Sequence, residues 1–120
     1  MRNGKRFPLG VGIDIEEVAR WREPSIRWSA LFTDDELAYC RGKGDPALHF
    51  AGYWCLKEAV FKAVGGSMSI SLRDVTISHR VDGAPRVIIR GQDAEVSDRL
   101  LVSVSHSPTT AVAVAVLLST

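Results

Sequence analysis

The sequence predicts an α+β domain in which one long helix packs on a mainly antiparallel sheet. Three observations carry that expectation. Residues 47–64 contain no proline and a single glycine, Gly52, before Gly65-Gly66 stops the run, so the longest helix belongs there. Asp82-Gly83 separates two apolar runs, residues 75–80 and 85–90, which is a strong short-range hairpin signal. Further strand-like segments follow rather than alternate with helices, which favours antiparallel pairing over a wound parallel sheet.

Each element has its own local reason. Residues 9–15 alternate apolar with small side chains and run into Asp14 and Glu16, as a strand does. Around Glu17 the pattern becomes helical. Thr33 followed by Asp34, Asp35 and Glu36 opens a helix, with Thr33 as the cap, Glu36 three residues on, and acids at the positive end. That helix should reach about residue 41, where Gly42-Lys43-Gly44-Asp45-Pro46 breaks it. Pro46 suits the first turn of the long helix. Residues 92–99 suit a short helix, and residues 101–105 and 111–118 read as strands about a turn at Ser107-Pro108.

The 120 residues, 46% of them hydrophobic, suit one domain over residues 1–120 with a modest core, a size that often gains stability by association. Fifteen basic and fourteen acidic residues leave a net charge of +1, which argues against bulk electrostatic binding to nucleic acid or an anionic membrane. An anionic ligand would need a local cluster of positive groups. Cys40 and Cys55 have neither disulfide-framework nor zinc spacing, and Cys55 sits among apolar residues as a buried reduced thiol would. Residues 1–8 are basic and polar without the apolar core of a signal peptide, and the longest apolar run, residues 111–118, is too short to span a bilayer. A reduced cytoplasmic protein is the expectation.

Three clusters are able to carry chemistry. Asp14 and Glu16, two apart in a strand, point to one face. Such a pair is stabilised by a cation between its members, and oxygen donors suit Mg²⁺ sharing its coordination with a phosphate; the same pair also fits a solvated strand end. Glu58 and Lys62 share a face of the long helix, where the default reading is a surface ion pair, while Lys57 points elsewhere. Trp54, Val60 and Phe61 crowd this stretch, so the charges emerge at the edge of a packed surface. The third cluster, Ser103-Val104-Ser105-His106-Ser107-Pro108, offers hydroxyls and an imidazole to a phosphate at a strand end, where a structural or solvated histidine is the plainer alternative.

Taken in order, these segments resemble the phosphopantetheinyl transferase family. Gly12-Ile13-Asp14-Ile15-Glu16 resembles its first motif, and Phe32-Thr33-Asp34-Asp35-Glu36-Leu37 the segment after it. Trp54-Cys55-Leu56-Lys57-Glu58-Ala59-Val60-Phe61-Lys62-Ala63 resembles W-x-x-K-E-A-x-x-K-A, the most specific motif of the set. Gly83-Ala84-Pro85 looks like the family's hairpin, and Ser103 to Ser107 like its terminal S-[ILV]-[ST]-H-[ST]. Length and motif order resemble the small holo-[acyl-carrier-protein] synthase type, a trimer with sites between subunits. Glu16 and Trp54 look like the larger, fused type. Tyr53 is a further departure: the small type usually carries arginine there, associated with coenzyme A binding, and Arg41, Lys43 or another subunit would have to substitute.

The resemblance implies the 4'-phosphopantetheinyl transferase fold and transfer of phosphopantetheine from coenzyme A to a serine of an apo acyl carrier protein, with adenosine 3',5'-bisphosphate released. It implies Mg²⁺ held by Asp14 and Glu58, with Glu16 as third candidate. Asp14, Glu58 and Lys62 are the catalytic candidates. Lys62, His106 and Ser105 or Ser107 are the candidates for holding coenzyme A, with Lys57 either a phosphate contact or a structural partner of the helix. By the same analogy His106 acts across a subunit boundary from Asp14 and Glu58. Arg20, Arg22 and Arg27 are candidates for docking an acidic carrier. The rival from another class is a catalytically silent module that grips coenzyme A or a carrier.

Overall fold

A computed structural model describes residues 5–120, so residues 1–4 of the basic N-terminal stretch lie outside the described residues. In chain order the elements are β1 (Pro8–Glu17), α1 (Trp28–Leu31), α2 (Asp34–Arg41), α3 (Pro46–Val64), β2 (Val75–His79), β3 (Pro85–Ile89), α4 (Glu95–Asp98), β4 (Leu100–His106) and β5 (Thr110–Leu118). Short 3₁₀ turns at Val18–Arg22 and Leu72–Asp74 join them. All strand pairs are antiparallel, but they divide into a three-stranded sheet in the order β1-β5-β4 and a separate β2-β3 hairpin.

The core is built around α3. Its sequence is apolar on nearly every side, and the helix is sandwiched accordingly. One flank lies on the three-stranded sheet, where β5 presents Ala111, Ala113 and Ala115, all buried. The other flank meets an aromatic cluster in which Trp21, Trp28, Phe32, Phe50 and Trp54 pack with ring centroids 4.4–6.2 Å apart. The small residues on the sheet side allow close approach. A Cβ added to Gly10 or Gly12 of β1 would run into the carbonyl of Ala63 or Ala59, so strand and helix backbones touch directly.

The capping box expected at Thr33 is present: the Thr33 hydroxyl accepts from the Glu36 amide at 3.2 Å, and Glu36 accepts from the Thr33 amide at 2.8 Å. Glu36 is also fully buried, and its second oxygen accepts from the Ile77 amide at 2.8 Å. It thereby ties α2 to β2. The far face of the three-stranded sheet is different. Val11, Ile13, Ile15, Leu101 and Val114 stand exposed there, with Ile13 and Ile15 at 63% and 67%. Among the described residues no helix is long and apolar enough to cross a membrane.

Candidate active site

Asp14 and Glu16 lie on the face of β1 that looks toward α3, opposite Ala113 and Ala111 of β5. Alanine at both positions leaves room beside the carboxylates. Because Gly12 and Gly10 let α3 settle against β1 at Ala59 and Ala63, the neighbouring Glu58 and Lys62 come to the same rim. The helical ion pair expected between Glu58 and Lys62 is not what forms. Lys62 crosses to the strand, donating to the Ile13 carbonyl at 3.0 Å and lying 3.4 Å from Asp14 Oδ1. Asp14 Oδ2 is buried with no hydrogen-bond partner.

The electrostatics follow from this crowding. Burial raises the Glu58 carboxyl above its ordinary value and the Asp14 charge adds to the rise, against Lys62 and Arg20. Glu16 is likewise raised, by burial first, with Arg20 opposing and Asp14 adding. Arg20, one turn along the chain, holds Glu16 Oε1 at 2.8 Å. Among the described residues no three carboxylate, imidazole or thiolate groups converge into a closed metal cage. The orphaned Asp14 oxygen beside Glu58 is nevertheless a donor set of the kind a hard, partly hydrated cation takes.

The third sequence cluster is divided by the strand period. His106 is level with Ala111 and Glu16 in the sheet, so it shares the face of the carboxylates, about 10 Å from Glu16 across β5. Ser105 points to the opposite face, and Ser107 Oγ accepts from the Thr109 and Thr110 amides at 3.3 and 3.2 Å to hold the turn. His106 therefore stands on the carboxylate side, with Ser105 on the opposite face and Ser107 in the turn. All three histidines gather near it. His49 of α3 lies 6.3 Å from His106, and burial with Lys43 and His106 nearby lowers its pKa. His79 stacks on Tyr39 at 4.2 Å, with Lys43 4.3 Å over the Tyr39 ring.

Tyr53, at the position where the resemblance expects arginine, is built into this stack. Its hydroxyl lies 2.7 Å from His79 Nε2 and its ring is parallel to Tyr39 at 5.5 Å. Burial pushes its pKa well up. Of the two readings open for Lys57, the geometry supports the structural one. Lys57 is 1% exposed, pairs with Glu36 at 2.9 Å and donates to the Val75 carbonyl at 2.7 Å. Sequence reasoning gave Glu36 only its capping role; a lysine in an apolar run was the signal that a buried acid must exist elsewhere. Of the three arginines, Arg20 is drawn to Glu16, Arg22 makes a two-pronged pair with Asp45 at 2.9–3.0 Å, and Arg27 stands exposed before α1.

Residues 10–116 match the family model described as the 4'-phosphopantetheinyl transferase superfamily. The chain belongs to that superfamily. It is 34% identical to the holo-[acyl-carrier-protein] synthase of Thermoanaerobacter sp. (strain X514), over 90% of this chain and 86% of that protein. It is 35% identical to the fatty acid synthase subunit alpha of Candida albicans, over 88% of this chain but only 6% of that subunit. The fold of this phosphopantetheinyl transferase is similar to two solved synthases. That from Bacillus anthracis str. Ames, in complex with CoA (3',5'-ADP), superposes with a TM-score of 0.74 at 29% identity, covering 94% of this chain and 98% of that one. The enzyme of Helicobacter pylori in complex with coenzyme A gives 0.71 at 28% identity, covering 91% and 99%.

Proposed function

We propose that this chain, as a single transferase domain over residues 1–120, moves the 4'-phosphopantetheine group of coenzyme A onto a serine of an apo acyl carrier protein. The observation that carries the reading is the meeting of Asp14, Glu58 and Lys62 at the β1–α3 rim, with one Asp14 oxygen left unpartnered. The serine oxygen forms a bond to the β-phosphorus, the phosphorus–oxygen bond to the adenylate side breaks, and adenosine 3',5'-bisphosphate leaves. Both partners are anionic, so the requirement is charge compensation more than covalent help.

Asp14 and Glu58, with Glu16 as third donor, would hold Mg²⁺, which when bound neutralises diphosphate charge. Lys62, half exposed at the rim, supplies a positive charge and a proton donor for the leaving oxygen. The serine proton goes to a carboxylate, Glu58 directly or Asp14 through a water, and the raised proton affinity of Glu58 suits that task. His106 holds a phosphate of coenzyme A. Lys57, buried against Glu36, supports the helix that carries Glu58 and Lys62.

The site is completed by assembly. A homotrimer covers the apolar face of Val11, Ile13, Ile15 and Val114, and sets His106 of one subunit against Asp14 and Glu58 of the next. The setting is the reducing cytoplasm, supported by two free, buried thiols whose pKa values burial pushes up to about 12. Intact mass of an apo acyl carrier protein, after incubation with this chain, coenzyme A and Mg²⁺, tests the reaction. A gain of one phosphopantetheine that EDTA prevents is the expected result. No gain on fatty-acid, polyketide or peptide-synthetase carriers would leave a silent binding module.

A further inference from the structure

The three carboxylates of the rim are not equally available. Asp14 keeps one oxygen open although Lys62 approaches the other. Glu16 is engaged more tightly: its Oε1, on a side chain 11% exposed, accepts from the guanidinium of Arg20 at 2.8 Å, against 3.4 Å between Lys62 and Asp14. Arg20 is itself 57% exposed, and its guanidinium rests 5.1 Å from the centre of the buried Trp21 ring. The partners are four residues apart across the junction of β1 and a 3₁₀ turn, so the local fold, rather than a chance surface encounter, presents one to the other.

We infer that Arg20 is a positioning residue that acts through Glu16, occupying Oε1 of this carboxylate as an internal cation that competes with a divalent ion for its third protein ligand. The inference rests on the metal reading of Asp14 and Glu58 given above. A site so guarded binds Mg²⁺ weakly on its own. The ion then arrives most favourably with the oxygens of the diphosphate, which supply the ligands that Arg20 withholds.

The test is Mn²⁺ binding to the full chain without coenzyme A, read by the EPR signal of free Mn²⁺ as it is titrated in. Arg20→Ala should tighten binding about three- to fivefold, the range of one ion pair removed at a partly exposed site. Arg20→Lys, which keeps the charge, should stay near the parent. Removing any nearby cation also favours Mn²⁺ through space, so the deciding comparison is made in a Glu16→Gln background. There Arg20→Ala should no longer tighten binding. An unchanged affinity in Arg20→Ala, or an equal gain with and without Glu16, would overturn the inference. Asp14→Asn separates the two readings: if it leaves Mn²⁺ affinity unaltered, the metal assignment itself fails, whatever Arg20 does.

Discussion

At the scale of single residues, the raised carboxyl of Glu58 has a measurable sign. The group must be ionised to accept a proton or hold a cation, and it protonates as pH falls through its elevated pKa. The acid limb of kcat/KM should therefore lie above that of an ordinary glutamate. Lys62 holds that pKa down, so Lys62→Met should move the limb of the residual activity further up; a limb that stays put would detach Glu58 from the profile. Asp14→Asn and Glu58→Gln should each reduce turnover by at least about a hundredfold while leaving the circular dichroism unchanged. Lys57 behaves differently, because its ammonium is sealed against Glu36. Lys57→Met leaves a buried, uncompensated carboxylate and should cost about 3–5 kcal/mol in urea denaturation, whereas adding Glu36→Gln should recover much of it. A loss of activity without a loss of stability would mean that Lys57 touches substrate after all. Residue types at fixed spacing made Asp14, Glu58, Lys62 and His106 candidates in the sequence, and the structure brings the first three to one rim. The ion-pair partners of Lys57 and Glu16 were not legible there, since both pairings depend on which faces the backbone turns toward each other.

At the scale of elements, β1 and α3 form the working unit. Gly12→Ala should push a methyl group into the Ala59 carbonyl, cost about 1–3 kcal/mol, and lower kcat by spreading Glu58 and Lys62 away from Asp14. A variant of unchanged stability and rate would show that the two backbones have slack between them. Most boundaries of these elements were readable because they rest on local chemistry: the Thr33 box, Pro46 at the first turn, Gly65 at the end of α3, and Asp82-Gly83 between β2 and β3. The split into two sheets was not readable. It depends on where β4 pairs after the chain passes α4, a long-range choice that alternation alone does not encode. The period of two also settles what motif spelling concealed, namely that Ser105 and His106 serve opposite faces.

At the scale of the molecule, the exposed apolar face of the three-stranded sheet is where the proposed trimer and its shared site are tested together. Native mass spectrometry should give a trimer, and Ile15→Glu, which charges that face, should yield inactive monomers. Activity retained by a monomeric variant would place the whole site within one chain. Mixing inactive His106→Ala and Asp14→Ala subunits should restore part of the turnover; no recovery would rule out a shared site. The direct contact of the Gly10 and Gly12 backbone with the carbonyls of α3 has a last consequence, for how the protein comes apart. The peptide groups at this seam have no side chains between them to loosen first, so their amide protons should exchange only when the entire chain opens. Turnover remaining in rising urea would then track the folded fraction, and the enzyme would report its own unfolding curve.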